Sequence, residues 1–517
     1  MPLVSHSTLK RGRQAGSQPF FTRSLKAPGR VSVAVVVLVS ANAVCHPARA
    51  QDPRAAVLDT FITELAARGQ FNGNILVAAR GEVIYERSIG LRSTLPGDSL
   101  DLDSQFRLAS ASKPFTALAI MQLKEAGLIA YEDPVEKYIP EWPYRGATIR
   151  NLLNHTSGIP DYREITDRHW KPELRMDNPK RIVENSDQLI DLFTEYRPEP
   201  YFESGSEFGY SDTGYLLLAL ILERVSGVPY HRYMRDNVFV PAGMRNTYAV
   251  SPLREDPLTN RVHGMRLALD GPGLISADLR YVDALEGSSG IYSTLRDLYR
   301  WDRALYTDQM VSRSSLREAL APAVLTDGRP TRTGFGWFLG EGTVSHDGYA
   351  AGFGVWIYRA LEQENTVIIL TTGGLYLWAG VNQGVLRILR GEEPDLPKRD
   401  GMRMVGLALL NEGEEAARRV YADLRQNHAD EYDFGGVGSL NSLGRLLLED
   451  RRPLDALAAF RLNAEMYPEA PLVWNWLAEA YLSLADTTNA VDNYRRALTL
   501  DKQSRHATQM LQMLGRP

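Results

Sequence analysis

The stretch FRLASASKPFTALAIMQLKEAGL, residues 106–128, raises two questions: what an apolar helix is doing behind a serine, and why a lysine opens it. From Lys113 onward the run is a good helix former with Pro114 in its tolerated first turn. It is apolar nearly all round, which predicts a helix buried at the centre of a domain. Ser110 and Lys113 stand three apart at its start, so their side chains project on one face within contact range. A serine hydroxyl is a weak nucleophile until a base takes its proton, and lysine is that base only when its surroundings lower its pKa. The helix start adds backbone N–H groups and a positive dipole end, which favour an anionic intermediate beside Ser110. The ordinary alternative is a capping serine, and the same Ser-x-x-Lys spacing recurs at Ser7–Lys10, so the pattern alone decides nothing.

Two further stretches carry candidate chemistry. In PEPYFESGSEFGYSDTGYLLLALILERVSG, Tyr210 and Asp212 stand in a loop just before a second thoroughly apolar helix, where a tyrosine can act as a proton shuttle. Tyr306-Thr307-Asp308 has the same Tyr-x-Asp form and reads more simply as the end of a solvated helix. At residues 344–348, VSHDG puts His346 and Gly348 on a predicted strand, where a glycine allows a substrate close to the backbone; a solvated strand-end histidine is the alternative.

Around these motifs, NGNILVAARGEVIYERSIG from Asn72 predicts a β-hairpin turning at ARGE. TGFGWFLG, VSHDG, GFGVWIYRALE and NTVIILTTGG predict three or four late strands, with helix and loop between the two sets. One sheet assembled from distant parts of the chain is an α+β plan rather than a run of βαβ units.

At 517 residues the chain is too long for one ordinary domain. Residues 1–50 carry seven Lys and Arg and no acid, then VSVAVVVLVSANAV and ARA, the order of a secretory signal peptide cleaved after Ala50. An uncleaved anchor is the alternative, but residues 31–44 are too few to cross a bilayer comfortably. The single cysteine, Cys45, falls in that segment, so the mature chain has no disulfide, redox thiol or cysteine metal site. Removing seven positive charges takes the formal net charge from −5 to −12, which disfavours nucleic acid or an anionic membrane as partner. Residues 51–392 are expected to form the catalytic unit and 393–401 a Pro- and charge-rich linker. In 402–517, Leu440, Leu443, Gly444, Leu447, Ala456, Phe460 and Pro468 recur thirty-four places on around Trp474, Leu477, Ala478, Tyr481, Ala490, Tyr494 and Ala497. That is tetratricopeptide spacing, with a weaker third repeat in 402–433; a plain helical extension is the alternative.

Ser-x-x-Lys opening a buried helix, Tyr-Ser-Asp before a second and His-Asp-Gly on a late strand resemble, in that order, the three motifs of the serine β-lactamase and penicillin-binding-protein superfamily, class C-like branch. TIRNLLNHTSGIPDY at 148–162 and LISADLRYVDALEGSSGIYSTLRDLYRWDRAL resemble its other signatures; in the first, HTSG reads as a turn and assigns His155 to structure. The resemblance implies a β-lactamase/transpeptidase-like fold, an antiparallel sheet flanked by helices plus a helical subdomain, followed here by the all-α segment.

It further implies that Ser110 forms an acyl-enzyme, that Lys113 and Tyr210 share the work of base and acid, and that the N–H groups of Ser110 and Tyr349 form an oxyanion hole. No cofactor or metal is implied. Asp212, His346, Gly348 and Tyr349 would border the substrate. Two departures matter. Asp212 replaces the usual asparagine and, ionised, only accepts; paired with Lys113 it favours the charged lysine, making Tyr210 the better base. His346 replaces a lysine and is mostly neutral near pH 7. Both weaken the case for β-lactams and for peptides ending in free D-alanine. The expectation is a periplasmic or secreted hydrolase of esters, small amides or D-amino-acid peptides. The alternatives are a D-alanyl-D-alanine carboxypeptidase, a class C-like β-lactamase, or a silent scaffold whose repeats bind a protein partner.

Overall fold

A computed structural model describes residues 52–169, 183, 185–271, 273–278, 282–350, 352–373 and 380–516; the expected signal segment and Cys45 lie outside them. The organising element is a six-stranded antiparallel sheet in the order Glu82–Ile89, Gly73–Ala79, Asn365–Thr372, Phe353–Ala360, Thr343–Ala350, Phe338–Leu339. The N-terminal hairpin turns where expected, with Arg80 and Gly81 both at positive φ (52° and 71°), the backbone of a type I′ turn.

Period-two alternation sorts the strand residues between two cores. Ile75, Val77, Val367 and Ile369 pack under two helices from opposite ends of the domain, Pro53–Ala67 and Val381–Leu389. Leu76, Ala78, Val355, Ile357, Ile368 and Leu370 face the larger core built around the helices Lys113–Glu125 and Asp212–Ser226. The first of these helices is buried on nearly every side and ends at Gly127 (φ 71°), a left-handed position that suits glycine. Sequence and structure differ at TGFGWFLG, where only Phe338–Leu339 is strand. Gly334 and Gly336 press so closely on the Ala319 carbonyl and on Pro114 that the segment turns around the start of the central helix instead.

Residues 51–517 form one compact unit. After the helix-free stretch that precedes Arg399, the rest is helical apart from a short parallel pair of strands, Arg399–Asp400 with Tyr432–Asp433. Successive helices pack in pairs, Val437–Glu449 with Pro453–Met466 and Pro471–Ser483 with Thr487–Leu500, and two more, Gly401–Glu412 and Glu414–Asn427, precede them. A Cβ on Gly444 would meet the Phe460 ring, so glycine allows the two helices to close; thirty-four places on, Ala478 and Tyr494 are both fully buried in one cluster. The helices seat on the hairpin Met265–Leu267/Leu274–Ser276: Leu269 is buried in their core, Arg452 pairs with Asp270 at 2.7 Å, and Asp450 pairs with Arg266. No helix among the described residues is long and apolar enough to cross a membrane.

Candidate active site

Ser110 lies in a single tight turn, Ala109–Ser112, that runs into the central helix at Lys113. Three fixings hold this turn. Leu108 donates its N–H to the Ile291 carbonyl (2.8 Å), the Ser112 hydroxyl accepts from the Ile291 N–H (3.3 Å), and a buried ion pair joins Arg107 to Asp283 (2.6 Å). Ala109 has φ 49°, a left-handed backbone that costs a non-glycine residue about a kilocalorie or more and persists only where its surroundings impose it. That strain sits directly before the serine.

Gly348 closes the turn from the sheet side. A Cβ there would lie 2.0 Å from the Leu108 carbonyl oxygen and 3.1 Å from the Ala111 nitrogen. The approach of the Ser110 turn to the strand therefore requires glycine here, a reason the sequence did not suggest. Tyr349, the next residue, pairs with Gly354 on the neighbouring strand.

Lys113 is fully buried, and its ammonium is bound to the Asp212 carboxylate and to the Ser288 carbonyl (3.1 Å). Tyr210 lies close enough to interact with both Lys113 and Ser110, and the ammonium lies 4.9 Å from the Tyr210 ring centroid. Burial would discharge Lys113, but Asp212 and Tyr210 outweigh it and hold its pKa above the ordinary lysine value. Asp212 is held below the usual carboxylate range: burial opposes this, and Lys113 and then Arg163 overcome it. Burial pushes Tyr210 up, with Lys113 only partly offsetting it. The resting cluster is thus a charged lysine, as the pairing with Asp212 suggested, an ionised aspartate and a neutral phenol, so Tyr210 must lose its proton before it can act as the base. The physical reason is desolvation of the ring in its slot.

Four residues that the motifs did not name, Arg163, Asp161, His155 and Ser288, complete the arrangement. Arg163 binds the second oxygen of Asp212 at 2.6 Å while pairing with Asp161 at 3.0 Å, and Asp161 in turn accepts the Asp212 N–H (3.1 Å). Both carboxylate oxygens of Asp212 are therefore occupied from within the protein. His155 forms the expected turn (φ 59°), but its ring also stacks on Tyr210 at 4.4 Å, its Nδ1 accepts the Ser211 N–H, and its carbonyl accepts the Gly209 N–H. Tyr210 is clasped from both sides of its loop. Ser288, in EGSSG, supplies the carbonyl to Lys113. The sequence signal for Arg163 was an acid where the motif expects an amide beside one buried lysine, which calls for a second cation.

His346 is neither solvated nor open to the cleft. It is 1 % exposed, covered by Phe338 (ring centroids 5.1 Å), and donates Nδ1–H to the Asp347 carbonyl, which leaves Nε2 without a partner among the described residues. Burial and then Lys113 push its pKa down to about 3, so it is neutral. Among the described residues no group of three or more His, Cys, Asp or Glu is placed to hold a metal ion.

A family model described as Beta-lactamase matches residues 58–382. The chain belongs to the beta-lactamase family. Penicillin-binding protein 4* of Bacillus subtilis (strain 168) is 34% identical over 386 residues, covering 69% of this chain and 84% of that one. The D-alanyl-D-alanine-carboxypeptidase/endopeptidase AmpH of Escherichia coli (strain K12) is 27% identical over 344 residues, 65% and 80% of the two chains. Among solved structures, the octameric penicillin-binding protein homologue from Pyrococcus abyssi superposes with TM-score 0.57 at 26% identity, covering 68% of this chain and 81% of that one. The protein is a serine hydrolase of the beta-lactamase and penicillin-binding-protein superfamily.

Proposed function

We propose that the protein is an exported hydrolase of esters and small amides, acting through an acyl-enzyme on Ser110 and cleaving substrates that need no cation from the third motif. The observation that carries this reading is His346: neutral, buried, and standing where a lysine would meet a substrate carboxylate. Export rests on the composition of residues 1–50, and a tetratricopeptide character of the C-terminal helices on the thirty-four-residue recurrence.

In this mechanism Ser110 Oγ attacks the carbonyl carbon as its proton passes to the Lys113–Tyr210 pair, which must first have lost one proton to solvent. The same pair returns a proton to the leaving group. Arg163 and Asp212 keep the lysine placed, and His155 keeps the phenol placed. The N–H groups of Ser110 and Tyr349 stabilise the tetrahedral oxyanion, and water then hydrolyses the acyl-enzyme.

A second reading, D-alanyl-D-alanine carboxypeptidase, is favoured by the similarity to the D-alanyl-D-alanine-carboxypeptidase/endopeptidase AmpH. The two are separated by comparing kcat/KM on p-nitrophenyl butyrate, D-alaninamide, a D-alanyl-D-alanine peptide and nitrocefin. The first reading expects turnover of the ester or amide and slow or absent turnover of the last two. A preference for the peptide, or rapid nitrocefin hydrolysis, would replace it.

A further inference from the structure

The hairpin Met265–Leu267/Leu274–Ser276 stands between the end of the large sheet and the C-terminal helices. A two-stranded hairpin is marginal in water by itself, so what holds its two ends decides where it sits. Its root is built into the sheet. The Met265 side chain is fully buried, its N–H donates to the Thr372 hydroxyl (2.9 Å), and that hydroxyl donates to the His263 carbonyl (3.2 Å). The Gly373 N–H is shared between the carbonyls of Met265 and Gly352 (2.9 Å each). Gly352 lies between the strands Thr343–Ala350 and Phe353–Ala360, and a Cβ on it would come within 2.4 Å of the Met265 carbonyl oxygen and 2.5 Å of its nitrogen. Backbone rests on backbone here, with no flexible side chain between them to absorb a shift.

The tip of the hairpin is gripped by the C-terminal helices. Leu269 is buried in their core, Asp270 and Arg266 pair with Arg452 and Asp450, Arg403 donates to the Gly271 carbonyl (2.9 Å), and Asn411 donates to the Asp270 carbonyl (3.1 Å). The Ala268 N–H closes the tip on the Gly273 carbonyl (3.0 Å) and the Ala277 N–H closes the base on the Gly264 carbonyl (2.8 Å), so a displacement imposed at one end is carried to the other. From Gly352 the path to the chemistry is short. Phe353 pairs with Ala350, and Gly354 pairs with Tyr349, whose N–H is the oxyanion donor in the mechanism above.

We propose that the C-terminal helices brace the oxyanion hole: by fixing the tip of this hairpin they hold Met265 against Gly352 and keep the Tyr349 N–H aimed at the developing charge. Leu269 and Asp270 are then positioning residues, acting through Met265 and Gly352 rather than on the substrate. The proposal rests on the acyl-enzyme reading above.

The test uses the full chain with p-nitrophenyl butyrate, its active sites counted with a fluorophosphonate, and with phenylboronic acid, whose tetrahedral adduct on the serine places an oxygen in the oxyanion hole. Removing one oxyanion donor costs about 10²–10³-fold in kcat, so a donor left misaligned is expected to cost about tenfold. Leu269→Ala should lower kcat per titrated site by about that factor, keep KM within about twofold and raise the boronic acid Ki as much as kcat falls, and Leu269→Met should restore most of both. Asp270→Asn/Asp450→Asn cuts both ion pairs without hollowing the core; it should move kcat and Ki the same way by about two- to threefold, and it decides the matter if Leu269→Ala does not fold. Leu511→Ala, in the separate apolar cluster at the far end of the helices, should lose stability and leave kcat and Ki unchanged. Unchanged kcat and Ki in the hairpin variants, or an equal loss in Leu511→Ala, overturns the brace while leaving the hydrolase intact. A parent protein that hydrolyses no ester above the Ser110→Ala background overturns the hydrolase reading and the brace with it.

Discussion

Gly348→Ala puts a methyl group where the Ser110 turn already stands. The added Cβ would lie 2.0 Å from the Leu108 carbonyl oxygen, whereas carbon and oxygen settle at about 3.3 Å, so roughly 1.3 Å must be found. Leu108 has little room to provide it: its side chain is fully buried, its N–H is committed to Ile291, and Ala109 after it is already in a left-handed backbone. The displacement therefore passes to Ser110. A misplacement of about 1 Å at a reacting group costs on the order of 10²-fold in rate, near 2.7 kcal/mol of barrier. Overpacking adds about 1–3 kcal/mol of lost stability. The assay is kcat/KM on p-nitrophenyl butyrate together with thermal unfolding. The control is Gly342→Ala, since Gly342 precedes the same strand, has positive φ (62°) and has open space around its Cβ position. It should lose some stability and keep its rate. A Gly348→Ala protein within threefold of the original kcat/KM would refute the reasoning.

Three further outcomes follow from the same geometry. With Lys113 and Tyr210 both raised and the reaction needing one proton fewer on the pair, kcat/KM should climb with pH from 6 to 9; Asp212→Asn removes the anion that keeps Lys113 charged and should move the climb to lower pH, whereas a plateau already reached at pH 7 would count against it. His155 and His346 are both pushed down to about 3 by burial, so the unfolded chain takes up protons that the folded one refuses. Their stabilising effect is complete above about pH 6.5 and is lost as pH falls toward 3, so urea midpoints should drop between pH 7 and 4.5, and a flat profile would contradict their burial as neutral rings. Leu269→Ala, by hollowing the seat of the helical extension, should cost about 2–4 kcal/mol in denaturant unfolding, and an unchanged midpoint would mean that the hairpin does not anchor those helices.

The elements that could be read in advance are those whose signal is local. KPFTALAIMQLKE carries its own helix period and burial, NGNILVAARGEVIYERSI its own hairpin turn, and Gly444/Phe460 with Ala478/Tyr494 a recurrence that reappears as close helix pairs. Harder to read were contacts made across long separations. Nothing near Arg163 announces that Asp212, forty-nine positions on, will need it. Nor does the sequence near Gly348 announce that the Leu108 carbonyl leaves no room for a side chain there. His346 looked like a polar strand residue because its neighbours Ser345 and Asp347 are polar; its burial depends on Phe338, a residue whose own segment turns where the sequence pattern suggested a strand. The protonation state of Tyr210 likewise depends on how completely the fold removes it from water, which spacing does not report.

The central claim is that Ser110 becomes acylated, and the intact mass of the folded protein after exposure to a fluorophosphonate tests it most directly. One adduct, mapped to Ser110 and missing from Ser110→Ala, is the predicted result. An unreacted folded protein, or an adduct that persists in Ser110→Ala, would contradict it.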